Sequence, residues 1–150
     1  GNTGCLELYA SIPQIVSEAK KFTELGMDSA LAELKSVGWP DIIEYAGKGD
    51  KLALNLIDKL CHYVSIGLVN LINMFDPQSI FLGHDIALAG NLVTDRIMLN
   101  IADKPYNSRY KNVTVEISAF RDKAPIMGSV AVLLDKLFTG VLDLPSSHSS

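Results

Sequence analysis

The residues able to do chemistry fall into two small groups. At the start, "GNTGCLELYAS" places Cys5 and Glu7 two positions apart, directly after Gly1 and Gly4. A thiolate is a nucleophile or metal ligand. A carboxylate accepts charge-assisted hydrogen bonds from neighbouring hydroxyls. Chain ends fray, so such a pair there is unusual. In the middle, "FLGHDIALAG" sets His84 and Asp85 side by side after Gly83. Their types suit acid/base work, but without a nucleophile or third partner they make no catalytic constellation. The plainer reading is a polar turn after a strand. Glu7 also has a plain reading, as an acid in a first helical turn that complements the dipole. The sequence holds no phosphate loop, no H-E-x-x-H and no G-x-S-x-G.

Composition narrows the class. The chain has 150 residues, 48% of them apolar and 20% charged, with a net charge of −4. That length buries roughly two-thirds of the unfolded surface in one domain. A nucleic-acid reader carries a basic patch, so this acidic segment is not expected to touch phosphate backbones. The two cysteines, Cys5 and Cys61, come without a secretory signal, so a disulfide is not expected and the cytoplasm is the expected compartment. Cys61 sits in an apolar run and reads as a small core residue. The run "LCHYVSIGLVNLINMF" at 60–75 is shorter than the roughly 20 apolar residues that span a bilayer.

Several elements must position these groups. Residues 5–24 read as helix, broken near Pro13, with Leu25–Gly26 as the stop. "DSALAELKS" reads as a short helix capped by Asp28. "GWPDIIEYAGKGD" gives a helix of one to two turns, opened by Pro40 and closed by Gly47. Asp50 caps a long helix over 51–75. On it Asn55, Asp58, Lys59, His62, Ser65, Asn70 and Asn73 share an arc of roughly 140°. The rest of its surface is apolar, so it is expected to be buried on most sides, with His62 facing solvent or an interface. Asp76–Pro77 ends it. "SIFLG" at 79–83 reads as a buried strand of a sheet covered on both faces. Asn91 is expected to cap a helix to about Asp103, and "VTVEISAF" at 113–120 alternates as a strand does. Residues 104–112 read as a polar loop and 124–138 as a closing helix. Residues 1–140 form one unit, and 141–150, including His148, form a flexible tail. The class is α/β, a helical block followed by β-α-β-α.

The order of these features resembles the ROK family of repressors, open reading frames and sugar kinases. In that family a histidine is followed by C-x-C-G-x-x-G-C-x-E. Gly1, Gly4, Cys5 and Glu7 match its G-x-x-G-C-x-E portion, and "YAS" at Tyr9–Ser11 follows as it commonly does. Gly49, Asp50 and Ala53, the stretch "LVNLINMFDPQSIFLG" and "APIMGSVAVLLDKLF" are similar too, so the likeness runs from Gly1 to about Phe138. It implies the C-terminal lobe of an actin/hexokinase-like (ribonuclease H-like) fold, cut inside the zinc motif.

The resemblance assigns roles. Glu7 matches the glutamate that contacts sugar hydroxyls, and Cys5 the last zinc ligand. Structural zinc needs four ligands at once, so one of them should not hold the metal here. Kinases of the family carry consecutive glycines after the strand, where backbone approaches the nucleotide. Here Gly83 is followed by His84, and the usual G-A-A reads G-S-V at Gly128. The nucleotide site is therefore expected to be degenerate and ATP not to bind. The family's phosphate loop and catalytic aspartate belong to the other lobe, so this chain is not expected to be an enzyme. The expectation is the sugar-sensing and oligomerising portion of a ROK-type transcriptional regulator. Its partners would be a sugar or sugar phosphate and a second copy, with the DNA-binding winged helix outside this chain and no membrane. The alternative is the C-terminal half of an ATP-dependent, glucokinase-like ROK sugar kinase.

Overall fold

The computed structural model describes residues 9–102 and 113–118. Helix α1 (Ile12–Glu24) begins with proline in its first turn, where a missing N–H costs nothing. It ends at Leu25, and Gly26 takes φ 75°. A 3-10 turn (Ala30–Glu33) follows, then α2 (Trp39–Gly47) and α3 (Lys51–Phe75). Strand β1 (Ser79–Leu82), a second 3-10 turn (His84–Ala89), α4 (Asn91–Ala102) and β2 (Thr114–Ile117) complete the order. The strands pair in parallel, Ser79 opposite Thr114 and Leu82 opposite Ile117. A parallel pair needs a crossover, and α4 lies within it.

Helix α3 is the axis of the core. It has the bounds the capping signals imply, and α1, α2 and α4 pack against it. Leu56, Ile57, Leu60 and Cys61 are buried on it, as are Ile15 of α1, Ile42 of α2 and Val93 and Ile97 of α4. Each such aliphatic side chain contributes roughly 1.5–3 kcal/mol by leaving water. By length and composition α3 could cross a membrane. Its buried face and the three helices against it account for its apolar surface as the core of this fold. Asp76, at φ 47°, closes α3 in the left-handed region that aspartate tolerates, and its N–H donates to Ile72 O.

The structure corrects several local expectations. Ser29, not Asp28, caps the segment after α1, its Oγ accepting from Leu31 N, and only four residues of 3-10 helix form. Asn91 is the first residue of α4 rather than its cap. The carbonyl of Gly90 accepts the N–H groups of Val93 and Thr94, and Gly90 adopts φ 53°. Ser65 leaves the polar stripe. It is buried, and its hydroxyl donates to Cys61 O at 2.6 Å, the back-bonding that satisfies a serine inside a helix. The largest correction concerns β1. Leu82 is buried, but Phe81 is 63% exposed, so among the described residues the sheet has one open face. A continuous apolar run signals a two-sided strand only when something covers both sides. The loop at 104–112, the closing helix at 124–138 and the tail lie outside the described residues.

Candidate functional site

The turn after β1 is the best-defined part of the candidate site. Gly83 is extended, and His84 follows at φ 59°. Histidine visits the left-handed region more readily than most side chains, though glycine does so at no steric cost. The His84 side chain is 80% exposed, and its Nδ1 lies 3.5 Å from the Asp85 carboxylate. So open an ion pair contributes little. The sequence reading of this stretch as a polar turn holds, with the addition that it coils into a 3-10 helix.

That turn is fastened from a distance. Trp39, buried at the start of α2, donates its indole N–H to the carbonyl of Asp85 at 2.8 Å. Sequence reasoning missed this, because 46 positions separate the two. The only signal was that the chain's sole tryptophan needed a partner for its N–H.

A second junction forms at Asp50. Its carboxylate accepts from Ala53 N at the start of α3, as a helix cap does, and also from Ala30 N and Ser29 Oγ across the fold. Partial burial pushes this carboxyl's pKa up. The donors from Ala53, Ala30 and Ser29 outweigh that, so the net shift is downward. One side chain thus fixes the start of the long helix and the preceding 3-10 turn. Glycine at position 49 suits its φ of 89°.

Tyr9, the first described residue, joins an aromatic cluster on α3. The rings of Tyr9 and Tyr63 stack with centroids 5.1 Å apart, and His62, exposed as expected, meets Tyr63 edge-on at 5.5 Å. Gly1, Gly4, Cys5 and Glu7, together with Gly128, lie outside the described residues. Cys61 is buried as expected. Its thiol donates to Val93 O, and burial pushes its pKa up to about 12. It is no metal ligand. Among the described residues no cluster of histidine, cysteine or acidic side chains could hold a metal.

The comparisons with known proteins agree on one lineage. The ROK family profile matches residues 1–136. A putative xylose repressor from Caldicellulosiruptor sp. is 29% identical over 140 residues, covering 91% of this chain and 35% of that protein. A solved ROK family transcriptional regulator, a homolog of the E. coli MLC protein, superposes with TM-score 0.78 at 28% identity, over 88% of this chain and 33% of that one. A ROK family glucokinase from Streptomyces griseus, in complex with glucose and AMPPNP, superposes with TM-score 0.68 at 25% identity, over 88% of this chain and 45% of that one. The chain spans about a third of the length of the curated relative. The mixed helix-and-strand build, the small parallel sheet and these likenesses give it the actin/hexokinase-like fold. On the match across nine-tenths of its residues, the chain belongs to the ROK family.

Proposed function

We propose that this chain is the sugar-sensing and self-associating portion of a ROK-type transcriptional regulator, without catalytic activity of its own. The observation that carries the reading is His84. The backbone after β1 enters the left-handed region at φ 59°, yet the residue there is a histidine with an exposed imidazole. A nucleotide that needs close backbone approach would meet that ring first. The likeness to a xylose repressor over most of the chain supports the same reading.

In this reading Glu7 accepts hydrogen bonds from two adjacent sugar hydroxyls, and Cys5 supplies one zinc ligand of the whole protein. Operator DNA is held elsewhere, in keeping with the net charge of −4. Leu71, Met74 and Phe75 on the last turns of α3, with Phe81 of β1, are exposed. They are the face through which two copies would pair in the cytoplasm.

The test uses the full-length protein. Operator DNA should be retained in a gel shift and released by D-xylose or another aldose. ATP-dependent phosphorylation of the same sugars should be absent. Measured phosphoryl transfer would overturn the reading in favour of a sugar kinase, the alternative favoured by the likeness to the Streptomyces glucokinase.

A further inference from the structure

A cavity of about 440 Å³ opens between the last turn of α1 and the segment that leads into α2. That volume lies within the range of small-molecule sites. Lys20, Thr23 and Glu24 line it from α1, and Leu34, Lys35, Ser36 and Val37 from the other side. Both walls are fastened. Thr23 Oγ1 donates to Lys20 O at 2.8 Å within the last turn of α1. Leu34 N donates to Leu31 O at 3.2 Å and Gly38 N to the Asp41 carboxylate at 2.8 Å, which holds the second wall at each end.

The lining has a definite chemistry. Lys20 and Lys35 are exposed, and neither forms an ion pair with a described residue. The backbone N–H groups of Lys35 and Ser36 donate to no described residue either. Each wall therefore offers an ammonium group, and one wall adds free amide donors. Two like charges on one small cavity repel each other, and a bound dianion relieves that. Lysine binds phosphate as a point charge. Glu24 lines the same cavity. Its carboxylate disfavours a polyanion but accepts hydrogen bonds from hydroxyls. Buried Val37 and half-buried Leu34 supply aliphatic surface for the C–H side of a small carbon skeleton.

We infer that this cavity binds a phosphomonoester of a small polyol, with Lys20 and Lys35 on the phosphate and Glu24 on a hydroxyl. The site needs neither Glu7 nor Cys5, so it stands whether or not Glu7 contacts a sugar. It gives a chain of net charge −4 a locally cationic recess.

The experiment is calorimetric titration of the full-length protein with D-glucose 6-phosphate, inorganic phosphate and D-glucose. Glucose 6-phosphate should bind at least about threefold more tightly than inorganic phosphate, and its affinity should fall as salt is raised from about 50 to 500 mM. Lys20→Gln and Lys35→Gln should each weaken it about three- to tenfold, with a larger loss in the double variant. Glu24→Gln should weaken glucose 6-phosphate about two- to fivefold and leave inorganic phosphate unchanged or tighter. The lysine variants should not move any binding of D-glucose, and Glu7→Gln should leave the lysine-dependent binding in place. All three cavity side chains are exposed, so the melting temperatures should stay at the wild-type value. Unchanged affinity for glucose 6-phosphate in the double lysine variant overturns the site, as does loss of all its binding in Glu7→Gln. No binding of either phosphate at about 10 mM overturns it as well. Equal affinity for inorganic phosphate and glucose 6-phosphate, with Glu24→Gln silent, overturns the assignment of a polyol ester.

Discussion

The indole N–H of Trp39 donates to the main-chain carbonyl of Asp85, 2.8 Å away, and so ties the start of α2 to the turn that follows β1. Trp39 is only 5% exposed. Trp39→Phe keeps most of the ring volume but leaves the carbonyl without its donor. It should cost about 1–2 kcal/mol, and Trp39→Ala about 3–5 kcal/mol. The midpoint of urea unfolding measures both. Because Trp39 is the chain's one tryptophan, its emission also reports on the His84 turn directly.

Asp50 gives a pH-dependent prediction. Its folded pKa lies below the ordinary aspartate value of 3.8, the donors from Ala53, Ala30 and Ser29 outweighing its partial burial. A depressed carboxyl adds stability that is present above the unfolded value and lost as pH falls through the folded one. Stability should therefore drop below about pH 4. Asp50→Asn should flatten part of that acid limb in thermal melts taken from pH 6 to pH 2. At neutral pH, Asp50→Ala should cost at least about 1 kcal/mol through the α3 cap alone.

The left-handed backbone at His84 predicts an inverted size order. His84→Gly should leave stability unchanged or raise it by up to about 1 kcal/mol, since the strain relieved offsets the added chain entropy. His84→Val should cost about 1–2 kcal/mol, because a β-branched residue is poorly tolerated at φ 59°. Equal denaturation midpoints for the two variants would refute the assignment of this backbone.

Cys61 should be silent to thiol reagents in the folded protein. It is fully buried, it donates to Val93 O, and burial lifts its pKa to about 12. In a Cys5→Ser background, labelling by an aromatic disulfide reagent at pH 8 should proceed only as fast as the protein opens, and should accelerate on adding urea. Rapid labelling in buffer would show that the α3–α4 contact is loose.

Helix α3 was legible from end to end, because its signals are local: Asp50 as cap, an unbroken apolar pattern, then Asp76–Pro77. Cys61 in the core and His62 outside it followed from the same periodicity. What the sequence concealed is long-range. No local pattern says that β1 has an open side at Phe81, or that Ser65 on a polar stripe turns inward to bond its own helix. Nothing adjacent to Asp85 announces Trp39, and nothing adjacent to Asp50 announces Ser29. The extra coil at His84–Ala89 depends on a residue entering positive φ that composition does not favour there. For the candidate site, Cys5 and Glu7 stood out by type and close spacing, and their suggested roles came from the wording of a family motif. The Tyr9–Tyr63 stack required residues far apart in the chain to be placed in space.

The 25 residues of α3 form an uninterrupted rod, about 37 Å long at the α-helical rise. One end is clamped by Asp50 to the Ser29 turn, and the other runs through Asp76 into β1 and the His84 turn. Such a rod works as a spacer: its residue count fixes how far the Ser29 junction stands from the start of β1, and each residue inserted into it would lengthen that span by about 1.5 Å and turn the exit toward β1 by about 100°.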